Sequence, residues 1–263
     1  MNAVSNRHFH VYSVANDPTV LARDLQRSPD IASGRVPLRV LWNERSASGA
    51  YAREITCATA DFLVFVHQDV YLPAGWFGRL AQHLDRLDQI DPNWAVAGSF
   101  GVTYNATYVG HIWDSGLGRV FGGPFTQPIR IASLDEIVLI LRRASEVCFD
   151  PQMPAFHLYG TDIILNAERF GTHGYALHLP VVHNSRAPRQ FPADYAVAYR
   201  FMVRKWRDRL PRPTTIIPLT INPLVLAYRQ LLSRYNAIFH PEMFFDRLSD
   251  PAAKARELGF EAV

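Results

Sequence analysis

Cysteine is scarce in this sequence of 263 residues, since only Cys57 and Cys148 occur and neither belongs to a CxxC pair. Their isolation argues against a disulfide scaffold and a zinc ribbon, and it is typical of a reducing compartment. The sequence also lacks a run of about 20 apolar residues, so we expect no membrane-spanning helix. The first residues contain no apolar signal-peptide core, and we therefore expect a cytoplasmic protein.

An excess of one charge is also missing, because 27 Lys and Arg stand against 24 Asp and Glu. The densest basic cluster covers residues 200–212, and a solvated helix face explains it best. Binding of nucleic acid would require a longer basic stripe within a recognisable module. We expect no nucleic-acid partner.

The N-terminal part of the sequence alternates between apolar runs and segments with helical spacing. Four apolar runs predict strands at residues 9–15, 37–42, 62–66 and 94–98. Helical spacing predicts helices between them at residues 19–27, 50–60 and 73–87. This alternation predicts an α/β fold, in which helices flank a Rossmann-like, mostly parallel central sheet.

The remainder of the chain has a different pattern. Residues 98–123 are rich in glycine and predict loops and short hairpins, and residues 137–141 and 175–182 predict two further strands. A helix is expected from Thr161 to about residue 170, with Gly171 ending it. We divide the chain into a catalytic domain, residues 1–188, and a mainly helical extension, residues 189–263.

Polar residues follow each of the first three predicted strands. They are Asn16-Asp17, Asn43-Glu44 and His67-Gln68-Asp69. In parallel sheets, ligands bind beyond the carboxyl ends of the strands. His67 and Asp69 are two residues apart and therefore face the same side of an extended chain. A carboxylate there suits a sugar hydroxyl or a hard cation that also takes phosphate oxygens, although Asp69 could instead cap the next helix.

The segments around these residues resemble family 2 glycosyltransferases with the GT-A fold. Residues 46–80, SASGAYAREITCATADFLVFVHQDVYLPAGWFGRL, resemble the nucleotide-sugar half of a branch in which the Asp-x-Asp element appears as His-Gln-Asp. FHLYGTDIILNAERFG at 156–171 and PVVHNS at 180–185 resemble later segments in the same order. The resemblance covers residues 8–186 and implies a GT-A-like fold.

The resemblance implies a donor site with a divalent metal, Mn²⁺ or Mg²⁺. Asp69 matches the metal-holding Asp, and His183 matches a late histidine that returns to the metal. His67 stands in the place of the Asp that touches the ribose, where it cannot supply a negative charge. The residues implied in binding the nucleotide part of the donor are Val14, Asn16, Asn43, Glu44, His67, Gln68 and Asp69.

The resemblance also implies an acceptor side. Asp162 matches the general base that removes the proton of the acceptor hydroxyl, although an Asp at a helix start is often only a dipole partner. Asp135 and Glu136 match residues near the sugar or acceptor, although they could instead form an acidic turn in solvent. His157 is expected to contact the acceptor or to support the site. Trp113 is an aromatic residue that could stack on a sugar face or pack in the core.

The function that this implies is a metal-dependent, inverting glycosyltransferase. It would move a sugar from a nucleoside-diphosphate sugar to a hydroxyl of a glycan or another acceptor. One alternative is a nucleotidyltransferase, but its usual glycine-rich, basic loop is replaced by Asn16-Asp17-Pro18 after the first strand. Another alternative is a non-catalytic protein that binds sugar nucleotides or glycans on a transferase scaffold.

The C-terminal extension contains an uncharged stretch at residues 214–228, between Arg212 and Arg229. Its length and its prolines are unsuited to crossing a bilayer. Three roles remain open for it: packing on the catalytic domain, pairing in a homodimer, or peripheral contact with a membrane surface.

Overall fold

A computed structural model describes residues 7–186, 191–240 and 244–261 of the chain. The strands in these ranges are β1 (Phe9–Ala15), β2 (Leu38–Trp42), β3 (Phe62–Val66), β4 (Val70–Tyr71), β5 (Trp94–Gly98), β6 (Phe100–Val102), β7 (Tyr108–Asp114), β8 (Arg119–Gly122), β9 (Ile129–Arg130), β10 (Ser133–Leu134), β11 (Val138–Arg142), β12 (His173–Ala176) and β13 (Val181–His183). The helices are α1 (Pro18–Arg23), α2 (Pro29–Ala32), α3 (Ala47–Cys57), α4 (Trp76–Ile90), α5 (Tyr159–Arg169), α6 (Ala193–Lys205), α7 (Pro223–Phe239) and α8 (Pro251–Glu257).

The main sheet has the strand order β2-β1-β3-β11-β5-β12-β9 over the described residues. Strands β1, β2, β3, β5 and β12 run in one direction, whereas β11 and β9 run in the opposite one. Strand β3 is FLVFV, and all five of its residues are buried because helices cover both faces of the sheet. The predicted α/β fold with a mostly parallel, Rossmann-like central sheet is confirmed.

Two hydrophobic cores lie on the two faces of this sheet. One contains residues of α3, α5 and α6, such as Tyr51, Ile163 and Met202. The other contains residues of α1 and α4, such as Leu21 and Leu80. The helical periodicity of α4 therefore points its apolar stripe at the sheet, as its sequence predicts.

A second sheet has the order β10-β6-β7-β13-β4, with β8 paired to β7. Its strands β4 and β6 begin a few residues after the carboxyl ends of β3 and β5. The glycine-rich middle of the sequence supplies β6, β7 and β8, which are the expected hairpins. Gly122 has a φ of 71° and lies against the backbone of Gly110, where a side chain would overlap the Gly110 carbonyl. The sequence predicted neither the extent of this sheet nor its partners.

Two predicted elements differ from the observed ones at positions that matter for the site. The strand expected at 175–182 is two strands, because the chain leaves β12 in the main sheet and enters β13 in the second sheet. The helix expected to start at Thr161 starts at Tyr159, so Asp162 lies within the first turn of α5.

The C-terminal elements pack around the domain. Helix α6 contributes Tyr195, Tyr199 and Met202 to the core on the α5 side. Helix α8 packs Ala252 and Ala255 against the second sheet. Among the helices in the described ranges, none has both the length and the apolarity needed to cross a membrane.

Candidate metal and nucleotide site

His67, Asp69 and His183 meet where β3 ends. One ligand atom from each of these side chains lies within 4.8 Å of the others. Strand β4 follows Asp69 directly and pairs antiparallel with β13, with His183 opposite Val70. The backbone amide of Asn184 also donates to the carbonyl oxygen of Asp69 at 2.7 Å. The turn after β3 thus brings a late histidine to the predicted metal carboxylate.

Each imidazole has one ring nitrogen engaged by a neighbouring side chain, and the other nitrogen of His183 lies toward Asp69. His183 Nδ1 lies 2.8 Å from Asp114 Oδ2, and its Nε2 lies 3.5 Å from Asp69 Oδ1. His67 Nε2 lies 3.1 Å from the hydroxyl of Tyr159. A carboxylate or hydroxyl behind a ligating histidine fixes the ring and its tautomer. Asp114 and Tyr159 therefore hold the two imidazoles as metal sites require.

The ionisation of the three groups suits a cation. Burial lowers the pKa of His67, so its ring is neutral at pH 7. Burial acting alone would raise the pKa of Asp69, but the neighbouring His183, His67 and Arg247 lower it, and the carboxylate stays ionised. Burial opposes protonation of His183, yet Asp69 and Asp114 raise its pKa well above the ordinary value. A cation would take the place of that proton.

The donor set of one carboxylate and two imidazoles fits a borderline divalent cation. Mg²⁺ prefers oxygen ligands throughout, whereas Mn²⁺ and later transition metals accept imidazole nitrogen more readily. Three protein ligands also leave coordination positions for phosphate oxygens and water. The residues present therefore fit Mn²⁺ better than Mg²⁺.

Two arginines lie beside the candidate metal ligands. Arg247 Nη2 is 3.5 Å from Asp69 Oδ2, and its Nε donates to the carbonyl oxygen of Asn184 at 3.1 Å. Arg23 pairs with the buried Asp24 at 2.9 Å. This hydrogen bond is the main cause of the raised pKa of Arg23, and the charge of Asp69 adds a smaller contribution. Positive charge at this edge suits a phosphate group.

Asn184 forms hydrogen bonds that attach the C-terminal segment containing Arg247 to the domain. Its side-chain Nδ2 donates to Asp24 Oδ1 at 2.8 Å and to the carbonyl oxygen of Leu248 at 3.0 Å, and its side-chain Oδ1 accepts from the Leu248 backbone amide at 2.7 Å. Asn184 is fully buried. It therefore fixes Arg247 relative to the metal ligands.

The predicted nucleotide residues at the ends of β1 and β3 are in contact. Gln68 Oε1 accepts from the backbone amides of Asn16 and Asp17, each at 3.1 Å, and its Nε2 donates to Asn16 Oδ1 at 2.7 Å. The backbone amide of Val14 donates to the hydroxyl of Tyr51 at 3.2 Å. Gln68 thus joins the β1 loop to the turn that bears the metal ligands.

The loop after β2 lies at the same edge of the sheet. Asn43 has a φ of 54°, a backbone conformation that Asn tolerates better than most residues. Its backbone amide donates to the carbonyl oxygen of Ala15 at 3.0 Å. Glu44 pairs with Arg53 at 2.6 Å. All three polar strand ends named by the sequence therefore share one edge, although Glu44 is occupied by an ion pair.

Asp135 and Glu136 precede β11, which runs beside β3. Asp135 is half-buried, and its Oδ2 accepts from the Thr215 hydroxyl at 2.7 Å. It is close enough to His67 and His157 to raise the pKa of both imidazoles against the effect of burial. Asp135 therefore borders the same space as the metal ligands.

Glu136 and His157 contact the helices next to Asp135. Glu136 Oε1 accepts from the amide of Gly160 at 3.1 Å, and burial, followed by the charge of Asp135, raises its pKa well above the usual range. His157 Nε2 lies 3.4 Å from Asp194 Oδ1 on α6. Glu136 supports the start of α5, and His157 contacts α6 through Asp194.

Asp162 is engaged elsewhere. Its carboxylate, which is 1% exposed, accepts from Lys205 Nζ at 2.7 and 2.9 Å and from Trp206 Nε1 at 2.6 Å. Lys205 also pairs with Asp150 at 2.7 Å. Burial raises the pKa of Asp162, and Lys205 counters the effect. These contacts join α5 to α6 and do not bring the carboxylate to the metal ligands, so its role as base stays a prediction.

Trp113 also lies away from the metal ligands. Side chains alternate along β7, so Asp114 points to His183 while Trp113 points to the opposite face. There it packs with the cluster of Tyr71, Val182 and α8, beneath Lys254. Trp113 therefore packs in the core between the second sheet and α8, and the expected stacking on a sugar is not supported.

Sequence reasoning missed three residues of the site. Asp114 ends a strand that the glycine-rich pattern concealed, and Tyr159 was overlooked beside Asp162. Arg247 lies outside the segments that carry the family resemblance. A polar residue at the end of a strand was the usable signal for Asp114, but no pattern marked Arg247.

Comparison with known proteins gives limited matches. No protein-family model matches the chain. A curated protein of Fuscovulum blasticum, described as ATP synthase subunits region ORF 6, is 33% identical over 137 residues, which are 48% of this chain and 52% of that protein. The chain thus spans about half the length of the curated relative that it matches.

Two solved structures resemble the chain at low identity. The mannosyltransferase PcManGT from Pyrobaculum calidifontis, in complex with GDP-Man and Mn²⁺, has a TM-score of 0.47 and 11% identity, and the match covers 98% of this chain and 76% of that one. TarS from S. aureus, in complex with UDP-GlcNAc, has a TM-score of 0.47 and 14% identity, with 88% and 72% covered. At these scores, neither structure informs the roles of individual residues here.

Proposed function

We propose that this chain is a metal-dependent glycosyltransferase that uses a nucleoside-diphosphate sugar as donor. The observation that supports it is the cluster of His67, Asp69 and His183 at the carboxyl edge of a Rossmann-like sheet. The polar exits of β1 and β2 share this edge, at the place where such sheets bind nucleotides. A metal site beside a nucleotide site suits a diphosphate that bridges them.

In this proposal the nucleoside lies against the ends of β1 and β2, near Asn16 and Asn43. Asp69, His67 and His183 would hold the Mn²⁺ ion, which when bound offsets the negative charge of the leaving diphosphate. Arg247 would add a hydrogen-bonding cation on the phosphate side. The sugar would then extend toward Asp135 and His157, and the acceptor hydroxyl of a glycan or another molecule would enter there.

Inverting transfer needs a base beside the acceptor hydroxyl, and two carboxylates are candidates. The family resemblance implies this role for Asp162, whose raised pKa suits a base but whose oxygens accept from Lys205 and Trp206. Asp135 borders the cluster; its Oδ2 accepts from the Thr215 hydroxyl and its Oδ1 from the Ile137 backbone amide, and neither contact is to a charged group. We propose Asp135 as the second candidate on the basis of this position. Removal of a general base typically lowers the rate by about 10²–10⁴.

The test of the function is a donor screen with product analysis. Thermal shift with nucleoside diphosphates and their sugars, with and without Mn²⁺, should reveal a ligand that raises Tm only when the metal is present. The Asp69→Asn variant should lose this dependence. If no diphosphate ligand stabilises the protein with Mn²⁺, the proposal is wrong.

Product analysis separates the alternatives. Release of a nucleoside diphosphate supports transfer of the sugar, whereas release of pyrophosphate would identify a nucleotidyltransferase. Donor binding without turnover over a panel of hydroxyl acceptors would indicate a binding protein on a transferase scaffold.

The two candidate bases can be compared by the Asp135→Asn and Asp162→Asn variants, assayed well below their melting temperatures. Loss of kcat with unchanged donor affinity identifies the base. If only Asp162→Asn shows this split, the assignment from the sequence is correct and Asp135 has another role.

A further inference from the structure

Helix α7 presents a row of large apolar side chains to solvent. Leu224, Tyr228, Leu231, Tyr235 and Ile238 are between 50% and 70% exposed. Their spacing of four and three residues places them on one face of the helix. Within the described residues of the chain, no element covers this row, which we call the α7 stripe.

The opposite side of α7 anchors the helix to the domain. Leu226 is buried in the core that also contains Tyr199 and Met202 of α6. The preceding segment holds Ile217 and Leu219, which are 5% and 0% exposed. Ile217, Leu219 and Leu226 therefore anchor the segment and the helix to the domain, whereas the α7 stripe faces away from it.

The charge around the α7 stripe has one sign. Residues 209–241 contain no Asp or Glu, and α7 itself carries only Arg229 and Arg234. Arg200 and Arg204 of α6 are exposed, and both line a groove that α7 borders with Ala227 and Gln230. An apolar row bordered by arginines is complementary to an anionic lipid surface.

A second copy of the chain suits the stripe less well. Paired helices normally place acidic residues against basic ones beside the apolar seam. Two copies of α7 would bring only arginines, because the helix contains no carboxylate.

We propose that α7 docks the chain on the surface of an anionic bilayer. The α7 stripe enters the boundary between headgroups and acyl chains, while Arg200, Arg204 and Arg234 lie at the level of the phosphates. This inference does not depend on the proposed catalytic function, because the stripe and the metal ligands involve different residues.

Flotation of the full chain with lipid vesicles tests the proposal. The protein should float with vesicles of phosphatidylcholine containing about 30% phosphatidylglycerol and bind pure phosphatidylcholine at least about tenfold more weakly. Raising NaCl from about 0.1 M to about 0.5 M should weaken binding, since it screens the arginines. The double variant Leu231→Glu with Ile238→Glu should reduce binding at least about tenfold, and because both side chains are exposed, its Tm should change little.

Phe170→Glu is the matched control, since Phe170 is 68% exposed at the end of α5. It should float like the parent protein. Absence of flotation with the anionic vesicles would overturn the proposal. So would light scattering that shows a dimer of the parent protein and a monomer of the Leu231→Glu and Ile238→Glu double variant, because the stripe would then pair two copies.

Discussion

Asp114 contacts His183 from the side away from Asp69 and thereby sets the orientation of the His183 ring. Asp114 also accepts from Ser185 at 3.0 Å and from the Leu117 amide at 2.9 Å, so its carboxylate is fixed in direction. Burial acting alone would raise its pKa, but the hydrogen bond and charge of His183 lower it. The ionised carboxylate fixes Nδ1 of His183 and leaves Nε2 toward Asp69.

We expect Asp114→Asn to weaken Mn²⁺ affinity by about 10- to 100-fold, because an amide holds the His183 ring and its tautomer less firmly. Calorimetric titration of the metal measures the change. Asp91→Asn is the control, since Asp91 forms a similar pair with His173 at 2.7 Å away from the site. If the parent protein and Asp114→Asn bind Mn²⁺ with equal affinity, His183 is not a metal ligand.

A second expectation at this scale concerns metal preference. Because two of the three candidate ligands are imidazoles, Mn²⁺ should bind at least about tenfold more tightly than Mg²⁺, following the order of affinity for nitrogen ligands. His67→Asp should narrow that difference by replacing a nitrogen donor with an oxygen donor. Competition between the two ions, followed by calorimetry, gives the ratio, and equal affinities in the parent protein would contradict the proposed ligand set.

At the scale of elements, the Asp162 cluster joins α5 to α6. Asp162→Asn keeps an acceptor for Trp206 but removes the charge that faces Lys205, whose side chain is 17% exposed. Loss of one partner from a buried ion pair lowers the free energy of unfolding by about 3–5 kcal/mol. Because Lys205 keeps its pair with Asp150, we expect a loss of about 2–3 kcal/mol here. Tm should fall by roughly 5–10 °C. A variant with unchanged Tm would argue against this structural role.

The segment before α8 makes a second prediction for an element. Because Asn184 fixes this segment and Arg247 lies 3.5 Å from Asp69, we expect Arg247→Gln to weaken binding of a nucleoside diphosphate by about tenfold or more through loss of a charged hydrogen bond. Arg186→Gln is the control, since Arg186 pairs with the exposed Asp246. Titration of both variants with Mn²⁺ and nucleotide measures the difference, and equal affinities would place Arg247 outside the donor site.

The sequence predicted the main sheet well because local patterns determine it. Apolar runs and polar strand ends are short-range signals, and they located Asp69 and the exits of β1 and β2. The second sheet depends on pairing between distant segments, such as β13 with β7, which no local pattern encodes. For this reason His183 was placed by resemblance alone, while Asp114 and Arg247 emerged only from the structure.

On the scale of the whole molecule, a histidine cluster links α4, β7 and the turn after β12. His111 Nδ1 lies 3.1 Å from His178 Nε2, and the His83 ring lies 6.5 Å from that of His178. Burial, then the charges of His111, Arg79 and His83, lower the pKa of His178 to about 4. The folded chain therefore disfavours protonation of His178 within this cluster.

This cluster should make the fold sensitive to acid. Above pH 6.5, His178 is neutral in both folded and unfolded chains, and its contribution to stability is complete. Between pH 6.5 and about 4 the unfolded chain binds a proton that the folded one excludes, so the free energy of unfolding should fall as pH falls. His178→Gln should show a shallower fall in Tm over this range, measured by calorimetry, whereas His8→Gln, at an exposed position, should keep the parent slope. A parent-like slope in His178→Gln would show that other groups control the acid transition.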